Sequence, residues 1–176
     1  MSTLRKAKAY RTIKRAYTRK SKFKKKSYIP TIPPHKIVRF DMGNPQKQFK
    51  FKLKLINLDS VQIRHNAIES VRLLINRHLE EKLGNNYHLK VNKYPHHILR
   101  ENKMLSGAGA DRMQTGMSQA FGKAVGSAIQ VKKGSVIFTA SVNDDGLETA
   151  KNSLKSASPK LPCRCRIEIE ELKISG

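Results

Sequence analysis

The stretch DSVQIRHNAIESVRLLINRHLEEKLG, residues 59–84, decides the fold class. Val61, Ile68, Val71, Ile75 and Leu79 recur at helical spacing, which lays one apolar stripe along the segment and predicts a helix over residues 60–83. Asp59 suits the N-cap and Gln62 stands three residues on, a capping-box-like pair. Gly84 supplies the stop, because glycine readily takes the backbone conformations that end helices. The remaining faces carry Arg64, His65, Arg72 and Arg77. A helix with one apolar stripe must lay it against a sheet or another helix.

The flanking segments supply the sheet. Phe49, Phe51, Leu53 and Leu55 alternate with Lys50, Lys52 and Lys54, a period-two strand with one apolar face and one positive face. In so basic a chain the lysine ladder fits an RNA-facing surface, a solvated face or a protected sheet edge being the alternatives. A short strand is expected over residues 36–40, stopped by Asp41, Gly43 and Pro45. Residues 87–94 read as a strand closed by Pro95, and residues 136–142 as another. A shorter helix follows over about residues 144–156, ended by Pro159 and Pro162. Residues 163–172 alternate again, with Cys163, Cys165, Ile167 and Ile169 on one face. Strand–helix–strand–strand–helix–strand is an α+β order, two main helices on a mostly antiparallel sheet. No period of 20–50 residues repeats, so the chain is not an array.

Charge is the second signal. The 176 residues carry 36 Lys and Arg against 13 Asp and Glu, a net +23. Residues 1–40 hold 14 of the basic residues and no acid, while residues 41–176 have a net of +9. A body with that charge would repel itself, which points to a polyanionic partner. Residues 1–28 interleave Arg5, Lys6, Lys8, Arg11, Lys14, Arg15, Arg19, Lys20, Lys22, Lys24, Lys25 and Lys26 with Tyr10, Tyr17, Phe23 and Tyr28. Such a segment has no apolar stripe of its own, so it is expected to be disordered in isolation and ordered on RNA. There the cations would meet phosphates and the rings unpaired bases. A nuclear-import signal and a solubilising tail are the alternatives. Residues 29–34, IPTIPP, form an extended connector. The expected organisation is a basic arm and connector over residues 1–35 and one α+β domain over residues 36–176.

No run of 18 apolar residues is present, which excludes a spanning helix, and no apolar segment follows the N-terminal cations as in a secretory signal. The acid-free N-terminus leaves an organelle transit peptide as an alternative to a cytosolic or nuclear address. Two cysteines in a Cys163-Arg164-Cys165 arrangement are no framework for a secreted disulfide scaffold.

Enzymatic motifs fail on inspection. Gly107-Ala108-Gly109 begins like a dinucleotide loop, but Arg112 stands at the third glycine position. Gly116 to Lys123 resembles a phosphate-binding loop, yet five residues separate Gly116 from Gly122 where four are needed. Ala124 also replaces the Ser or Thr that would hold magnesium. The cysteine pair has no second pair to complete a zinc site, and His96-His97, next to Arg100 and Lys103, fits RNA contact better than catalysis. The glycines around residues 103–117 suit close backbone approach to a partner, with Met113 and Met117 as adaptable apolar contacts. The residues point to a non-enzymatic protein without a metal or cofactor.

Three motifs carry a resemblance: Gln62-Ile63-Arg64-His65-Asn66-Ala67, Tyr94-Pro95-His96-His97-Ile98-Leu99-Arg100-Glu101-Asn102-Lys103, and Gly107-Ala108-Gly109-Ala110-Asp111-Arg112-Met113-Gln114-Thr115-Gly116-Met117. Together they make the chain similar to the universal large-subunit ribosomal protein family numbered sixteen in bacteria and called ten-e in archaea and eukaryotes. The similarity runs from about Tyr10 to Val142. It implies an α/β-hammerhead-like domain and a structural role on large-subunit rRNA, between the central protuberance and the peptidyl-transferase centre. rRNA contacts are then expected from the arm cations, Arg64, His65, Arg72, His96, His97, Arg100, Lys103 and Lys123. The resemblance further implies that the loop over residues 103–117, with Gly107, Gly109, Arg112, Gln114 and Gly116, lies near tRNA. Neighbouring ribosomal proteins and assembly factors become expected partners in the cytoplasmic ribosome, with no membrane and no homo-oligomer. The short tail beyond the last strand looks archaeal rather than eukaryotic. Ser118 and Ala124 depart from the family's usual Arg and Pro, and residues 21–25 look like a small basic insertion.

Overall fold

The structure, a computed structural model, describes residues 5–18, 23, 29–102 and 122–172. It is an α+β fold of two antiparallel sheets and two main helices. The strands in chain order are β1 (Asp41–Gly43), β2 (Phe51–Asn57), β3 (Val61–Arg64), β4 (Tyr87–Val91), β5 (His97–Glu101), β6 (Lys123–Val131), β7 (Val136–Val142) and β8 (Cys165–Glu171). The helices are α1 (His65–Leu83) and α2 (Leu147–Ala157). The larger sheet has the order β1-β4-β7-β2-β8 and the smaller one β3-β6-β5. Every ladder among the described strands is antiparallel.

The apolar stripe of α1 is the one expected. Ile68, Val71, Ile75 and Leu79 are fully buried, and Gly84, at φ 58°, ends the helix. α1 packs on α2, β3, β4 and β6, and α2 lies on β2, β7 and β8. One continuous core therefore runs from Leu53, Leu55, Leu89 and Phe138 of the larger sheet to Ile63, Ile129 and Val131 of the smaller one. Burying each such side chain contributes about 1.5–3 kcal/mol, which is why a chain without Trp still holds together.

Four expectations need correction. The helix begins at His65, not at residue 60: Val61 and Ile63 are buried as strand residues opposite Val131 and Ile129. Asp59 caps nothing; its carboxylate accepts from the backbone N–H and guanidinium of Arg164, at 3.0 and 2.9 Å. The first short strand lies at Asp41–Gly43, just beyond the expected 36–40. The lysine ladder of β2 does not stand unpaired. Lys52 and Lys54 sit opposite Glu170 and Glu168 of β8, Lys54 pairs with Glu170, and Lys50 reaches Asp144 at 3.0 Å. The alternating acids of β8 mirror the alternating lysines of β2, and opposite charges across a ladder attract.

β5 and β6 were not expected at all. In β6 Gly126, Ser127, Ala128 and Ile129 are buried in succession, and in β5 His97, Ile98 and Leu99 are. Strands covered on both faces lose the alternation that reveals a half-exposed strand.

Candidate nucleic-acid interface

The basic arm is laid across the smaller sheet. After a 3-10 turn at Ala7–Tyr10, it passes β3, where the backbone N–H of Gln62 donates to the Arg11 carbonyl at 2.9 Å. The Gln62 side-chain amide donates to the Tyr10 carbonyl, also at 2.9 Å. Over the central strand, Gln130 donates to the Lys14 carbonyl at 2.9 Å and to Gln62 Oε1. At β5 the contact is reciprocal: Ile98 N–H donates to the Tyr17 carbonyl, and Tyr17 N–H donates to His97 Nδ1, each at 2.9 Å. The arm thus satisfies backbone groups on both edge strands, which would otherwise be open to unwanted pairing.

Side chains fix the crossing. The Arg100 guanidinium lies 3.9 Å from the Tyr17 ring centroid, and that of Arg64 lies 5.8 Å from the Tyr10 ring. Arg64 also donates to the Arg5 carbonyl at 3.0 Å. Glu101 takes the Tyr10 hydroxyl at 3.4 Å and lies 3.9 Å from Arg5. Cation–π contacts of this kind contribute about 0.5–2 kcal/mol each.

This corrects the expectation of a wholly disordered arm for its described part, residues 5–18. The segment needs no apolar core of its own because the sheet offers it acceptors, amides and arginines. It also corrects the use expected of two rings: Tyr10 and Tyr17 face arginines of the same chain.

The cations are left outward. Arg5, Lys6, Lys8, Arg11, Lys14 and Arg15 are all exposed. Of these six, only Arg5 has a carboxylate of a described residue within salt-bridge distance. Docking through carbonyls and rings therefore presents a row of unneutralised charge, the arrangement a polyphosphate backbone requires. Lys123, at the start of β6, and His96 are exposed as well.

Other expected contact residues serve the fold. Arg72 is buried, not on an outer face. Its Nε is 2.8 Å from Glu69 Oε2 and its Nη1 is 3.0 Å from the Met42 sulfur. It falls one position beyond Val71 on the border of the apolar stripe, where β1 covers it. His97 is buried and occupied by the arm. His65 is half-buried, with its Nδ1 accepting the Lys36 N–H at 3.2 Å and lying 3.3 Å from the Ser127 hydroxyl. Arg19, Lys20, Lys22, Lys24, Lys25, Lys26 and Lys103 lie outside the described residues, as do Gly107, Gly109, Arg112, Gln114 and Gly116 of the glycine-rich loop. Gln62, Gln130 and Glu101 were missed by sequence reading, since an amide or a lone acid in a basic chain has no spacing that marks it.

Cys163 and Cys165 are half-buried with their sulfurs 3.7 Å apart, and no group of three His, Cys, Asp or Glu gathers among the described residues. Burial, and then the neighbouring Arg100, pushes His97 below its ordinary pKa. Burial, followed by His35, Lys36 and Arg64, does the same for His65.

The sign of the pH effect follows. The unfolded chain binds a proton at each site near the ordinary value of about 6.5, whereas the folded chain resists it. Stability should be full above that value and fall as pH drops below it. Denaturant midpoints should decline between pH 7.5 and 5, above the range in which carboxylates titrate. A flat profile there would mean that burial and the neighbouring cations do not hold these two rings neutral in the folded chain.

The whole chain also has close relatives. The family model described as ribosomal protein L16p/L10e matches residues 14–168. The large ribosomal subunit protein uL16 of Staphylothermus marinus is 44% identical over 152 residues, covering 86% of this chain and 87% of its own. The uL16 of Methanococcus maripaludis strain S2 is 44% identical over 172 residues, covering 97% and 96%. That of Methanospirillum hungatei is 47% identical over 163 residues, covering 92% of each.

Proposed function

Because the chain belongs to the ribosomal protein L16p/L10e family, a set of structural constituents of the large subunit and not of enzymes, we propose that it binds large-subunit rRNA through its sheet-mounted arm. The observation that carries this reading is the orientation of residues 5–15. Their backbone and rings face the smaller sheet, and their cations face away from it. Lys6, Lys8, Arg11, Lys14 and Arg15 meet phosphate, with Lys123 and His96 as further contacts. Arg64 and Arg100 act one step back, holding the arm's tyrosines in place, and Arg72 is left out. The unit is organised as the arm and connector over residues 1–35 on an α+β domain over residues 36–176, working in the cytoplasmic ribosome.

The finer reading rests on the family resemblance and on residue chemistry. The glycine-rich loop over residues 103–117 reaches toward tRNA near the aminoacyl and peptidyl sites, where Arg112 can pair with phosphate and glycine amides can approach closely. Its role there extends to late subunit assembly, in contact with assembly factors and neighbouring proteins. Purified subunits test both levels. The wild-type chain should be recovered one per large subunit after a moderate salt wash. Subunits carrying a deletion of residues 107–116 should sediment normally yet bind tRNA poorly. Absence of the chain from washed subunits would overturn the rRNA reading. Full tRNA binding by the loop-deleted subunits would overturn only the loop's role.

A further inference from the structure

Away from the arm, four rings from two distant parts of the chain meet at the surface. Phe40 and Tyr94 are stacked, with centroids 5.5 Å apart and planes 21° from parallel. His35 stands edge-on to Tyr94 at 5.2 Å and within 3.1 Å of its hydroxyl, while His96 leans on Tyr94 at 4.7 Å. Phe40 is the inner ring, packed against the core, and the Phe40 carbonyl accepts from Val91 N–H at 2.8 Å. Tyr94 keeps 47% of its surface open, and His96 is exposed. Pro95, between them, is buried, which fixes the chain at that point.

The surroundings discriminate between possible occupants. Arg39 and Lys93 are the immediate chain neighbours of Phe40 and Tyr94, and Lys36 follows His35. Residues 29–40 and 92–100 contain no acid. The nearest carboxylate in sequence, Asp41, is turned to His88 at 3.1 Å. Half-open rings next in sequence to cations that pair with no carboxylate among the described residues suit a nucleotide, whose base stacks while its phosphate is paired; an apolar protein surface would have to leave those cations without partners.

We infer that the tier Phe40–Tyr94–His96 is a stacking platform for an unpaired base of rRNA, with Arg39 and Lys93 taking the adjoining phosphates. This rests on the rRNA reading above and adds a second, base-directed contact to the phosphate-directed arm.

The test uses the full chain and a single-stranded adenosine decamer carrying one 2-aminopurine, whose fluorescence falls when it stacks. Wild-type protein should quench the probe. Tyr94→Leu keeps the apolar bulk but removes the ring, so quenching should largely vanish and affinity fall about 5–100-fold. The slope of affinity against salt should stay unchanged. Tyr94→Phe loses only the hydroxyl contact with His35 and should behave as wild type, provided thermal melts show all three proteins folded. Equal quenching by Tyr94→Leu and wild type would overturn the platform, as would a Tyr94→Phe variant as weak as Tyr94→Leu. A Tyr94→Leu variant that quenches normally but is released from washed large subunits would also overturn it, by assigning the rings to a protein neighbour. If wild-type chain failed to bind large-subunit RNA at all, the rRNA reading itself would fall.

Discussion

Replacing Glu69 by Ala should lower the stability of the folded chain by about 3–5 kcal/mol, as should Arg72→Ala. The side chains are only 13% and 8% exposed, so removing either partner leaves the other as an uncompensated buried charge. Arg72 would also lose its place against Met42, which is itself buried. The companion result is a double replacement. Glu69→Leu with Arg72→Met removes both charges and keeps the volume, and should recover most of the loss. Arg77 and Glu81 on the same helix provide the control. They pair at 2.8 Å but are 79% and 56% exposed, so Arg77→Ala should change little. Chemical denaturation of the four variants measures all of this. An Arg72→Ala protein as stable as wild type would contradict the burial of the pair.

The helix that carries this pair was legible in the sequence because burial on one face leaves a 3.6-residue signature at Ile68, Val71, Ile75 and Leu79. The same signature extends back through Val61 by coincidence. A strand and a helix share the apolar positions 61 and 68, and only the pairing partner in β6, distant in sequence, decides that residues 61–64 are extended. Arg72 was misplaced for a related reason: periodicity marks the centre of a buried stripe but not its width, and width depends on what lies opposite. β2 and β8 could be read because each has one dominant alternation, and β7 because Val136-Ile137-Phe138-Thr139 is rich in β-branched and aromatic residues, although Ile137 to Ala140 are buried in succession. β5 and β6 are buried in succession too, but Gly126, Ser127 and Ala128 of β6 and the flanking His97 and Arg100 of β5 carry no such enrichment.

The arm shows a different limit. Its cations and tyrosines were visible, and a nucleic-acid partner followed from charge alone. Its docking is carried by the carbonyls of Arg5, Tyr10, Arg11, Lys14 and Tyr17, and every residue has a carbonyl. Sequence reading therefore did not reveal the platform that holds the arm, nor the pairing of Tyr17 with Arg100. The same reading found the arm's rings suited to bases; Tyr10 and Tyr17 instead meet Arg64 and Arg100, while Phe23, in the arm, and Tyr94, outside it, are exposed.

The arm also produces the largest effect expected on binding. If it and its neighbours make about 6–10 phosphate contacts, affinity for large-subunit RNA should drop about 10³–10⁵-fold between roughly 50 and 200 mM salt. Phosphate pairing releases counterions and hydrogen bonds to neutral groups do not, so the slope of log affinity against log salt counts the contacts. Converting Lys8, Arg11, Lys14 and Arg15 together to Ala should leave the fold intact, since all four are exposed and the docking bonds run through main-chain carbonyls. The variant should bind more weakly and lose about 3 from the magnitude of the slope, at roughly 0.7–0.9 per phosphate contact. Measuring that slope for the wild-type and four-fold variant chains is the most direct test of an arm whose outward cations grip rRNA. A clear drop in slope with an unchanged melting temperature is the predicted result; equal slopes for the two proteins would contradict it.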